Sequence, residues 1–191
     1  MSAFEFILVL VSVVAGFAVS EILSGWGRLI RERVRIMDVA VYLLASIWLL
    51  LMITRYIWVL WLFREIDWRF IDFMMAFVPI LVLALAAYLT NPVRAASFLP
   101  KAHYQTQARP FCYLMTVYFI AWSFGIQRAY IEGGAVLGPT QILGLGSALM
   151  FLVLAHIKRQ SLHALGFTVA LVGIVVMSTI AITNLVDEPP L

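Results

Sequence analysis

Apolar residues run through this chain in long blocks, and the polar positions fall mostly between them. A helix needs about 20 apolar residues to cross the hydrocarbon core of a bilayer. Six stretches approach or meet that length: residues 4–24, 39–62, 72–90, 111–130, 139–156 and 163–185. The pattern predicts an all-α, polytopic transmembrane helical bundle of about six spans, forming one domain over residues 1–191. The connections are short, the longest being residues 91–110, so no separate soluble domain fits between the spans. The fifth stretch is the weakest, because it opens Gly138-Pro139 and contains Gly144 and Gly146. Without it the chain would have five spans, with its C-terminus on the opposite side.

Composition strengthens the membrane assignment. Of the residues, 64% are hydrophobic and 12% are charged, and the mean hydropathy is +1.01. A soluble domain is about 45–50% apolar and about 25% charged. An ordinary water-soluble globule is therefore excluded, and so is a disordered chain, which would be poor in aromatics. The single cysteine, Cys112, excludes an internal disulfide and a zinc cage built on several thiolates.

The basic residues set the expected orientation. Arg28, Arg31, Arg33 and Arg35 lie in the first loop, Arg94, Lys101 and Arg109 in the third, and Lys158 and Arg159 in the fifth. The other loops and the tails hold Arg64, Arg69 and Arg128, and Arg55 lies inside a span. Cytoplasmic loops carry the excess of Lys and Arg, so both termini are expected outside, in a multi-pass protein of a bacterial inner membrane. Ala18-Val19-Ser20 resembles a signal-peptide cleavage site, but the segment before it carries Glu5 and no Lys or Arg. A signal peptide has a positive n-region, so the segment reads as a retained span. Trp58, Trp61 and Trp68 near one face, and Trp26 near the other, fit interfacial belts.

Small residues recur every four positions in the first span: Ser12, Gly16, Ser20 and Ser24. That spacing places them on one helix face, where they allow close backbone approach. Packing inside the bundle is the expected use, and a homo-oligomer seam is the alternative. Gly144 and Ala148, and Gly166, Ala170 and Gly173, repeat the device in the last two spans. Pro79, in the middle of the third span, is expected to kink it.

Ionisable groups inside a span mark functional candidates, and Glu21 and Arg55 stand out. In antiparallel spans their Cα atoms differ in depth by roughly 15 Å, so a direct ion pair is not expected. Glu21 either pairs with a cytoplasmic base or serves as a proton or cation site. Arg55 either reaches an outer acid such as Glu5, Asp72 or Glu132, or offers its charge to an anion inside the bundle. Arg28, Arg31 and Arg35 have helical spacing and are candidate contacts for anionic lipid headgroups. His156 and His163 match no metal-ligand spacing, and Ser147 and His163 should lie at different depths. No metal, cofactor or catalytic constellation is expected, and a net charge of +3 against a membrane does not point to nucleic acid.

Two functions fit these residues best. One is a small channel or transporter for protons, ions or a small solute, supported by Glu21, Arg55 and Pro79. The other is a non-transporting membrane subunit acting through protein contacts. It would use a homo-oligomer seam or a cytoplasmic partner docked on residues 91–110. An enzyme is not expected.

Overall fold

The computed structural model describes residues 3–61, 64, 68–90, 100–125, 139–157 and 159–187. Those residues are all-helical, with six helices and no strand among them. We label them α1 (Ala3–Arg31), α2 (Ile36–Trp61), α3 (Phe70–Thr90), α4 (Pro100–Gly125), α5 (Pro139–Leu154) and α6 (Gln160–Asp187). Three helical segments are long and apolar enough to cross a membrane: Ala3–Arg31, Val39–Trp61 and Phe70–Thr90. Large apolar side chains cover the outside, including Phe17, Trp58 and Phe70 at 69%, 70% and 79% exposure. A helix that is apolar on every face and still half exposed needs an apolar solvent, so the protein belongs in a membrane.

In α1 the buried residues are Phe4, Ile7, Val11, Ala15, Ala18, Ile22, Gly25 and Leu29. Their spacings are all three or four, the rhythm of a seam that packs side chains into the holes of neighbouring helices. This face continues past Ser24 to Leu29, which is why α1 outruns the expected span. Ser12, Gly16, Ser20 and Ser24 lie on the opposite, exposed face. The expectation that this stripe packs inside the bundle is thus overturned: a different set of residues, with its own small members Ala15, Ala18 and Gly25, forms the inner face.

α1 ends in a well-defined turn. Arg33 has a left-handed backbone, with φ of 49°. The Arg33 N–H donates to the Ile30 carbonyl at 3.2 Å, and the Val34 N–H donates to the Leu29 carbonyl at 3.3 Å. These two bonds make a Schellman cap, which satisfies carbonyls that the helix end leaves open. Val34 packs against a small cluster of Leu29, Val39 and Tyr42, the apolar contact that accompanies such caps. Arg35 therefore lies beyond the helix that carries Arg28 and Arg31, so the expected single basic helical face is broken at Arg33.

α2 is the central element and packs on α1, α3, α4 and α6. Ser46, fully buried, ties it to α1. The Trp26 indole N–H donates to Ser46 Oγ at 2.8 Å, and Ser46 donates onward to the Leu43 carbonyl at 3.0 Å. Trp26 is therefore a half-buried latch between α1 and α2. At the far end Phe4 meets Trp61 edge-on, with centroids 5.9 Å apart. These two contacts set α1 and α2 antiparallel.

α4 departs most from the sequence expectation. It begins at Pro100 and runs through Pro110, so the second half of the expected 91–110 loop is helix. Ala108, Phe111 and Cys112 are buried on both sides of that proline. Their packing holds the helix through a residue that would ordinarily end one. Residues 91–99 of that loop, and 126–130 of the expected fourth span, lie outside the described residues. α3 likewise continues through Pro79. The Tyr56 hydroxyl donates to the Ala76 carbonyl, one turn before that proline.

Arg33 holds a conformation that costs a residue with a Cβ about 1–2 kcal/mol. Arg33→Gly should stabilise the protein by about 1 kcal/mol, and Arg33→Val should destabilise it by a similar amount. Thermal unfolding of the three proteins in one detergent checks the order.

Candidate functional site

Arg55 is half-buried on α2 and does not point away from the bundle. Its guanidinium carbon lies 5.5 Å from the ring centroid of Trp122 on α4. A cation over a tryptophan face is stabilised by about 2 kcal/mol when water is excluded. Trp122 is itself held from two sides. Tyr118 stacks on it at 6.2 Å, and Tyr56 meets it edge-on at 5.7 Å. The Tyr56 bond to the Ala76 carbonyl links this group to α3, so three helices position the arginine.

Arg55 and Trp122 line a cavity of about 230 Å³ between α2, α4, α5 and α6. Trp48, Met52 and Arg55 supply its α2 wall at i, i+4 and i+7, which is one helix face. Among the described residues that line it, Arg55 carries the only charge. The remaining lining is mostly apolar. Leu143 and Val169 line the cavity and are about half exposed, at 49% and 54%. The cavity therefore opens sideways between α5 and α6.

At its inner end the cavity meets packed rings. Trp48 lies 5.3 Å from Phe151, 6.1 Å from Phe119 and 6.2 Å from Phe167, and Phe111 adds a further ring at 5.6 Å from Phe167. Trp48, Phe111, Phe151 and Phe167 are fully buried. This cluster of packed rings closes around Trp48 on the side away from Arg55. The Trp48 indole N–H is buried and has no hydrogen-bond partner among the described residues.

The structure does not bring Glu21 and Arg55 together. Glu21 is half-buried on α1 and does not line the cavity. Counted along the helices, Arg55 lies nearer the Trp61 end than Glu21, by about one turn from the Trp26–Ser46 contact and about three from the Phe4–Trp61 contact. Among the basic candidates, Arg28 pairs with Glu32 at 2.8 Å within α1's last turns, whereas Arg31 and Arg35 are exposed.

The other polar candidates are occupied locally. Ser147 donates to the Leu143 carbonyl at 2.8 Å. His163, nearly fully buried, places Nε2 2.9 Å from the Ile157 carbonyl, and His156 places Nδ1 3.0 Å from the Leu152 carbonyl. The two histidines thus cap the turn between α5 and α6. Among the described residues no group of three or more His, Cys, Asp or Glu is arranged to hold a metal ion.

The sequence reading singled out Arg55 but missed Trp122, Trp48 and Met52. A signal for two of them was present in the i, i+4, i+7 spacing from Arg55 back to Trp48. Comparison with protein-family models, curated proteins and solved structures finds no match to this chain.

The α4–α5 wall rests on a close approach at Gly144, where a Cβ would overlap Ser123 Oγ. That hydroxyl is buried and has no hydrogen-bond partner among the described residues. Ser123→Ala should stabilise the protein by about 1 kcal/mol by removing the unmade bond. Gly144→Ala should cost about 1–3 kcal/mol, and less in the Ser123→Ala background. Unfolding midpoints of the two single variants and the double variant measure that coupling.

Proposed function

We propose that this is a six-span integral membrane protein that moves an ion or small solute, with an anion favoured over a proton or metal cation. The observation that carries the reading is the cavity between four helices with Arg55 as its one charged wall residue. An intramembrane charge facing a cavity is costly unless it serves a ligand or pathway. An arginine attracts anions and repels cations. The packed rings below Trp48 support a carrier that alternates between states, because an open pore would need a wetted path through them. Glu21 stands apart from this cavity and is assigned no part in the passage.

The six-span count rests on six helices coinciding with six apolar stretches, although α5 has only 16 residues. The excess of basic residues in the first, third and fifth loops supports termini on the outside and a bacterial inner membrane as the location. In that orientation the exposed Arg31 and Arg35 face the cytoplasmic leaflet, where anionic headgroups attract them.

A second reading, the non-transporting subunit, is favoured by the exposed α1 stripe. Gly16 has no heavy atom within 4 Å of where a Cβ would lie, so a partner helix has room to approach there. A second copy of the chain fits this role, and residues 91–110 would remain the place for a cytoplasmic partner. Under this reading Gly16→Cys in a Cys112→Ala background forms a disulfide-linked dimer in membranes under oxidation, and under the carrier reading with a monomer it does not.

Transport is tested by flux into proteoliposomes, screening Cl⁻, small carboxylates, H⁺, K⁺ and Na⁺. Anion uptake should appear with the wild type, fall at least about tenfold in Arg55→Gln, and persist in Glu21→Gln. Cation or proton flux lost in Glu21→Gln and retained in Arg55→Gln would overturn the reading.

A further inference from the structure

We infer that the cavity binds an organic monocarboxylate with an apolar body, its carboxylate at Arg55 and its body along α2 toward Trp48. This rests on the reading of the cavity as a solute site and narrows the solute to one chemical class. The polarity of the α2 wall is graded. Arg55 stands at one end, Met52 in the middle and Trp48 at the other, over a rise of about 10 Å. A ligand charged at one end and apolar along its length matches that order, and a small round ion does not.

The guanidinium is suited to the charged end. The Arg55 guanidinium lies over the Trp122 ring, and its fork of N–H donors matches a carboxylate through two parallel bonds. Among the described residues no carboxylate already occupies Arg55. The rest of the wall argues against a bare inorganic anion. Met52, Leu143, Met150 and Ile174 offer hydrocarbon and thioether only. An inorganic anion would give up its water for a single arginine, whereas an organic carboxylate buries its apolar body against the same side chains. The two methionines adapt to bodies of different shape.

Size and access narrow the class. A volume of about 230 Å³ lies below the roughly 300–1,000 Å³ of pockets that enclose drug-sized ligands. A short chain or a single ring fills it, and a longer chain must leave through the opening between α5 and α6. Gly173 lines the cavity with nothing within 4 Å of where its Cβ would lie. The last small residue of the α6 stripe thus keeps the cavity open, while Gly166 meets Leu154.

The test is equilibrium binding of radiolabelled octanoate to the full chain in lipid nanodiscs, with empty nanodiscs subtracted. Octanoate should bind saturably, at one site per chain. Acetate and octan-1-ol should compete at least about tenfold more weakly. Arg55→Gln should lose binding by at least about tenfold. Gly173→Leu, which adds bulk into open space and removes no charge, should lose it as well, so the result does not depend on one variant folding.

Competition by oleate supplied in the bilayer would support access through the α5–α6 opening, and competition restricted to water-soluble carboxylates would support access from the aqueous side. Acetate binding as well as octanoate would overturn the inference, because the site would then read charge alone. Octan-1-ol binding equally well, or octanoate binding unchanged in Arg55→Gln, would overturn it as simple partition onto an apolar surface. Arg55-dependent chloride flux without octanoate binding would sink this inference and leave the transport reading standing. Octanoate binding without flux of any solute would do the reverse.

Discussion

Trp48 is the residue around which the helices converge. It is fully buried and touches rings from α4, α5 and α6 while sitting on α2. In a bilayer the hydrophobic effect does not drive helices together, since lipid is as apolar as leucine. Association then depends on dispersion between well-fitted surfaces and on a few polar contacts. A large flat ring that meets three neighbours at once supplies the first of these. It holds α5, a helix of only 16 residues, into the bundle together with the Gly144–Ser123 approach to α4.

Several polar contacts join one helix to another. The Trp26–Ser46 bond fixes α1 on α2, and the Tyr56 bond to the Ala76 carbonyl fixes α2 on α3. Thr116 Oγ1 donates to the Cys112 carbonyl within α4 at 3.0 Å and approaches the Ala148 carbonyl of α5 at 3.4 Å. Such bonds are worth only about 0.6 kcal/mol on average inside membranes, so they select register more than they supply stability. One consequence bears on the site. The same Tyr56 that anchors α3 also meets Trp122, which carries Arg55. The position of the charge is therefore tied to the packing of α2, α3 and α4 together.

The cavity and its floor follow from one change along α2. Toward the basic end, the space beside Trp48 is filled by Phe151 and Phe167. One to two turns further along, α6 presents Ala170 and Gly173 beside Met52 and Arg55. Small residues opposite a long, charged side chain leave a void where large rings would have closed it. Among the described residues that line the void, Arg55 carries the one charge, at the end away from the packed rings.

Much of the architecture was legible without coordinates. Runs of apolar residues near the length of a bilayer core determine helices, because no other element satisfies its own backbone there. Arg55 was equally legible, since a charge within such a run is conspicuous. The faces of the helices were not. In α1 the inward Val11 and Ala15 and the outward Val13 and Gly16 do not differ in kind, because lipid and protein interior accept the same side chains. The small-residue stripe of α1 was therefore expected inside and lies outside, and Pro110 was expected to end a loop and lies within α4. Which neighbours Arg55 meets, and that Glu21 is not one of them, depended on how the helices rotate and pack. That is set by the fit of Trp48 and its surrounding rings, a property of shapes in three dimensions that the order of residues along one strand of chain does not display.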